Sequence, residues 1–155
     1  MDFGKFLNVF CILILIYMWV IAGISYSSLP DEIPTHFGVD GRPDSMGPRL
    51  MVFLLPAASV LIYAVMRYIS TTSVKKFESD LQEKVRKNKG LTRNFVRIIT
   101  VFVFLLVADI LTESILVAQL QSEKLSMVSS IIIFAMFAAI ILYFIYARKK
   151  VHRID

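Results

Sequence analysis

Two carboxylates stand where carboxylates are costly. Asp109 and Glu113 fall inside an otherwise almost wholly apolar run from Ile98 to Ala118. Each ionised acid deep in a bilayer costs about 2.5 kcal/mol or more. Their spacing of four puts both on one helical face, with Thr112 and Gln119 close to the same stripe. Two acids so close suit a shared proton or a bound cation. The alternative is structural: hydrogen bonds to Ser59, Tyr63, Ser129 or freed carbonyls hold helices together, or Glu113 reaches the outer interface. His36 is the residue to add to such a site, for proton transfer or for zinc ligation with Asp40, Asp44, Asp109 or Glu113. The competing expectation has His36 and Asp44 hydrogen-bonding the backbone of their own connection and locking its turns. His152 lies in the basic tail with no such company.

The elements that must position these groups are four apolar runs, Phe6–Ile24, Leu50–Ile69, Ile98–Ala118 and Met127–Ala147. Each is about 20 residues long and matches the roughly 30 Å hydrocarbon core of a bilayer as a helix. Without water to satisfy the backbone, such runs must be helical. The expected fold is therefore an all-α membrane protein of four transmembrane helices. With 155 residues and 57% hydrophobic composition, one membrane domain over residues 1–155 uses nearly all of the chain. Cys11 is the single cysteine, which excludes an intramolecular disulfide and reads as a small buried apolar residue. The first run is too long for a signal-peptide core, and Asp2 offsets Lys5 before it, so it reads as a retained helix. Pro56, in the outer half of the second run, is expected to free a carbonyl near Val52 and to border a polar cavity with the two acids.

Basic residues set the orientation. The connection over residues 71–97 holds Lys75, Lys76, Lys84, Arg86, Lys87, Lys89, Arg93 and Arg97, and the tail adds Arg148, Lys149, Lys150 and Arg153. The connection after the first run has only Arg42 and Arg49, and the third only Lys124. Positive residues are retained inside, so both termini are expected to be cytoplasmic. The net charge of +5 then reflects orientation and anionic lipid, and gives no reason to expect nucleic acid as a partner. Val74, Phe77, Leu81 and Val85 share one face and predict a cytoplasmic amphipathic helix. Arg67 is expected to snorkel to the headgroups, and Tyr17, Trp19, Tyr26, Tyr143 and Tyr146 to anchor the interfaces.

The outer connection, residues 29–49, is short and stiff. Pro30, Pro34, Pro43 and Pro48 restrict its backbone, and Asp40-Gly41 and Asp44 are turn signals. Interleaved Ile33, Phe37, Val39 and Met46 predict a folded extracellular cap. Leu29, Pro30, Ile33, Pro34, His36, Phe37, Gly41, Asp44 and Gly47, just after a first span, form a pattern that resembles the N-terminal domain of unknown function of bacterial SdpI-like immunity proteins. Arg49 stands where that family often carries a basic residue. The resemblance implies a multi-pass protein of the bacterial cytoplasmic membrane, whose best-understood relatives protect against a secreted peptide toxin and relay its presence.

Glycine-rich phosphate loops, CxxC pairs, HExxH and nucleophile elbows are absent from the sequence, and no cofactor is expected. Three functions are compatible with these residues. The first is a non-enzymatic membrane protein whose cap recognises a peptide toxin or a membrane protein partner. The second is a small proton- or cation-coupled transporter using Asp109 and Glu113, which with four spans requires a homo-oligomer. The third is a metal-dependent intramembrane hydrolase.

Overall fold

The computed structural model describes residues 3–38, 40–69, 89–120 and 122–152. The amphipathic segment expected between Val74 and Val85 lies outside them, as does Val39. Helix α1 spans Phe3–Ser25, strands β1 and β2 span Glu32–Phe37 and Pro43–Pro48, and helices α2, α3 and α4 span Leu54–Tyr68, Lys89–Ala118 and Val128–His152. Among the described residues, four helical stretches are long and apolar enough to cross a membrane: Phe3–Ser28, Arg49–Tyr68, Arg93–Ala118 and Val128–Lys149. The chain is an integral membrane protein on that physical ground.

Helix α3 is the centre of the bundle. It packs against α1, α2, α4 and β1. On α1, Leu7, Cys11, Ile14, Met18 and Ala22 are buried at steps of three or four residues. On α3, Val101, Phe104, Ala108, Leu111 and Ile115 repeat the same rhythm and join them in one core. Both stripes are the one-face signature of a helix, and Cys11, Ala22 and Ala108 are small enough to let backbones approach. The opposite face of α1, with Ile12, Leu13, Ile16 and Val20, is exposed, as lipid-facing side chains must be. Helix α4 leans on α3 with no fully buried residue in its span. At one end of that contact Phe95 meets the rings of Tyr143 and Phe144 at 5.3 and 5.7 Å.

The structure corrects the sequence reading in three places. The connection over residues 29–49, expected to be folded, holds an antiparallel β-hairpin, so a mostly helical fold carries two strands that the all-α expectation did not include. Strand β1 pairs Glu32 with Pro48, Ile33 with Gly47, Pro34 with Met46, His36 with Ser45 and Phe37 with Pro43, with irregular register around Thr35. Prolines are compatible with it because each strand of a two-stranded ribbon has a free edge. Pro56 does not kink the middle of a helix. The chain enters α2 through a 3₁₀ turn at Arg49–Phe53, which places Pro56 in the first turn of α2, where a missing N–H leaves no helical bond unmade. Finally, α3 begins at Lys89, well before Ile98, because polar residues continue a helix beyond the hydrocarbon without altering its backbone bonding.

Candidate functional site

The hairpin is built by its turn and by one buried face. Gly41 has φ of 77°, a left-handed geometry that glycine adopts without steric cost. The N–H of Gly38 donates to the Arg42 carbonyl (2.8 Å) and that of Gly41 to the Gly38 carbonyl (2.9 Å). The Asp40 carboxylate accepts the Arg42 N–H at 3.1 Å, the local bond that makes Asp a turn former. Ile33 is buried in the same core as Leu29, Val52 and Ile115, so β1 is seated on the helices. Pro34 is buried beside Ile33, Phe37 is half-buried, and Glu32, Thr35 and His36 are exposed. His36 and Asp44 have side chains 69% and 51% exposed, with His36 Nδ1 2.5 Å from Asp44 Oδ1. A carboxylate only accepts, so Nδ1 donates across the hairpin. The two side chains thus bond to each other across the ribbon, where the expectation had them bonding its backbone, and beside them the Thr35 hydroxyl donates to Ser45 Oγ at 3.3 Å.

Arg49 ties the hairpin to the helices. Its N–H donates to the Asp31 carbonyl at 2.9 Å, and its guanidinium lies 5.2 Å from the centre of the Tyr26 ring, within cation–π reach. Tyr26 and Trp19 in turn meet Phe53 at 5.4 and 6.0 Å. These aromatic residues thus join the end of α1 to the entry of α2, a packing role beyond interfacial anchoring.

The two acids sit at the α3–α4 contact, at the hairpin end of the bundle. Ser129 donates its hydroxyl to Asp109 Oδ2. Glu113 Oε2 accepts the Ser126 N–H at 3.3 Å. The neighbouring Leu125 N–H donates to the Gly41 carbonyl at 2.9 Å. The segment before α4 therefore bridges the hairpin turn and Glu113 through adjacent residues. Residues 30–48 and Glu113 lie at one end of the molecule, the geometry on which a shared site depends.

Thr112 points elsewhere. Its hydroxyl donates to the Ala108 carbonyl at 2.7 Å, which uses its only proton, so the 2.8 Å contact with Tyr17 Oη must be donated by the tyrosine. Thr112 and Tyr17 join α3 to α1, whereas Asp109 joins α3 to α4 and Glu113 joins it to the segment just before α4. Pro56 is on a third front: Ser59, three residues on and fully buried, reaches the Met18 sulfur of α1 at 3.8 Å. One polar cavity bordered by Pro56 and both acids is not what these contacts form. Nor do three His, Cys, Asp or Glu side chains converge to hold a metal among the described residues. His36 with Asp44 and Asp109 with Glu113 are two separate pairs.

Sequence reasoning missed Ser28, Leu125 and Ser126, and took Tyr17 for an interface anchor without its bond to Thr112. The Gln119 amide donates to Ser28 Oγ at 2.8 Å, a second polar tie between the ends of α1 and α3. Tyr17 stands three residues after buried Ile14 and next to buried Met18, so its flank position was readable. The backbone bonds of Leu125 and Ser126 depend on no side chain and left no signal.

A family model described as a domain of unknown function, DUF1648, matches residues 13–60. The matched stretch takes in most of α1, the whole hairpin and the first half of α2, and excludes both acids. The chain is also similar to an uncharacterized protein of Archaeoglobus fulgidus, 35% identical over 69 residues. That similarity covers 44% of this chain and 38% of the archaeal protein. No solved structure matches.

Proposed function

We propose that this is a non-enzymatic membrane protein that recognises a peptide or a membrane protein partner through the exposed side of its hairpin, in the manner of the SdpI-like immunity proteins it resembles. The hairpin faces the cell exterior in this reading, and both termini face the cytoplasm of a bacterial-type plasma membrane. The observation that carries it is the seating of the ribbon. Ile33 anchors one side in the core while His36 and Asp44 stand exposed and paired on the other. A preformed surface of this kind spends little conformational entropy on binding. The scarcity of basic residues at 28–49 against their abundance at 71–97 and 148–153 supports the orientation. The family match over residues 13–60 covers the hairpin and supports its assignment as the working part.

The test uses cells carrying the protein and challenged with a secreted membrane-active peptide toxin. Phe37→Ala and His36→Ala with Asp44→Ala should abolish protection, whereas Asp109→Asn should retain most of it. Cells unprotected by the wild-type chain, or protected equally by the hairpin variants, would refute the reading.

A second reading rests on Asp109 meeting α4 and Glu113 meeting the segment just before it: a proton- or cation-coupled transporter that assembles from more than one copy. In reconstituted vesicles, Asp109→Asn and Glu113→Gln should each remove pH-dependent flux. Unchanged flux in both variants eliminates it.

A further inference from the structure

The end of the bundle remote from the hairpin holds a second polar constellation that the recognition surface does not use. Asn8 and Cys11 of α1, Tyr63, Met66 and Arg67 of α2, and Val96, Arg97 and Thr100 of α3 line a small, half-open cavity of about 10 Å³, space for one water-sized atom. Arginine comes from two different helices, and none of the described residues that line it is acidic. Thr100 offers no free proton, since its hydroxyl donates to the Val96 carbonyl at 2.7 Å.

Arg97 is held in an unusual way. One terminal nitrogen donates to Asn94 Oδ1 at 3.2 Å. Its Nε is buried and has no hydrogen-bond partner among the described residues. Gly4 is what admits the guanidinium: a Cβ there would collide with the Arg97 terminal nitrogen and come within 2.9 Å of Cζ. The head group therefore lies against the α1 backbone instead of extending to water, as simple snorkelling would have it. Arg97 is four residues inside the Arg93–Ala118 span, Arg67 one residue inside its own, and Asn8 five residues into α1. At 1.5 Å per residue these lie within roughly 8 Å of the ends of the membrane spans, the depth of lipid phosphates.

We infer that this cavity is an anion site for a phosphoryl group, with one phosphoryl oxygen entering to accept the Arg97 Nε–H and Arg67 supplying the second positive charge. A guanidinium presents its donors as a planar fork matched to phosphate oxygens, and the unpaired Nε–H belongs to that fork. The shared chemistry admits two sources, the headgroup of an anionic phospholipid or free phosphate.

Native mass spectrometry of the full chain in a neutral maltoside detergent tests the site. The probes are phosphatidylglycerol, diacylglycerol of the same acyl composition without phosphate, and inorganic phosphate. The wild-type chain should retain phosphatidylglycerol in preference to diacylglycerol. Arg97→Gln should weaken that retention by about tenfold or more, the loss of a hydrogen bond to a charged group. Arg93→Gln, exposed on the same helix end, should leave it unchanged and so separate the cavity from general surface charge. Displacement of the lipid by inorganic phosphate supports a small-anion site, and persistence of the lipid supports a headgroup site. Where Arg97→Gln does not fold, Gly4→Ala replaces it, since it keeps every charge and displaces the guanidinium, with the same loss expected. Equal retention of both lipids, an Arg97 variant that binds like the wild type, or an equal loss in Arg93→Gln overturns the proposal.

Discussion

The contact between Asp109 and Ser129 yields a prediction in which two opposed energies decide the sign. Hydrogen bonds between membrane helices are worth about 0.6 kcal/mol on average and up to about 1.7, and bonds to charged groups in proteins about 1.5–3. Ser129→Ala removes this bond and should destabilise the bundle by about 1–2 kcal/mol. Asp109→Ala loses the same bond but also removes an acid whose burial costs about 2.5 kcal/mol. The second effect is larger, and the variant should be more stable than the wild type by about 1 kcal/mol. The double variant should match Asp109→Ala alone, because Ser129 then has no carboxylate left to meet. The coupling energy is accordingly about 1–2 kcal/mol. Reversible unfolding in mixed micelles with increasing dodecyl sulfate, followed by circular dichroism, measures all four proteins. Effects that add within about 0.5 kcal/mol would show that the pair does not couple. A marked loss of stability in Asp109→Ala would refute the ordering of the two energies. A stabilised Asp109→Ala would mean that the acid persists at a cost to the fold, which is what the transport reading requires of it.

Gly41→Ala forces a Cβ onto a residue at φ 77° and should cost about 1–2 kcal/mol, seen as faster protease cleavage within residues 29–49 while the helical circular dichroism signal is retained. Tyr17→Phe removes the donor to Thr112 and should lower unfolding stability by about 0.6 kcal/mol and no more than about 1.7. Thr112→Ser, which keeps the accepting oxygen, should change it little. His36→Ala should alter thermal stability by less than about 1 kcal/mol, because both partners of its bond to Asp44 are largely solvent-exposed. Any loss of binding in that variant then reports on recognition and not on folding.

Much of the site was legible in residue types without their partners being so. Ser129 was among the residues expected to meet the acids, and it does. Ser59 and Tyr63 were equally eligible by composition, yet Ser59 faces Met18 and Tyr63 lies against Phe104, with ring centres 6.2 Å apart. The difference lies in which face of α3 each neighbour occupies. A spacing of four places Asp109 and Glu113 together but does not say which helix they meet. Thr112, one position before Glu113, turns to α1 instead. The proline-rich connection was recognised as stiff and folded, but not as strands. Four prolines mask the alternation that marks a strand, and pairing with an opposite chain segment overrides that local signal.

The amino-acid sequence alone determines that four helices are long and apolar enough for a bilayer, because hydrocarbon thickness and backbone bonding act on each run by itself. It also determines that residues 29–49 must turn tightly, since proline and glycine act through their own dihedral angles. Only the tertiary structure decides that α3 is the central helix, that Asp109 meets α4, and that Leu125 and Ser126 link the hairpin to Glu113. Those outcomes depend on backbone groups and helix faces brought together from distant parts of the chain. Every residue carries the same backbone groups, so composition cannot reveal which of them will meet.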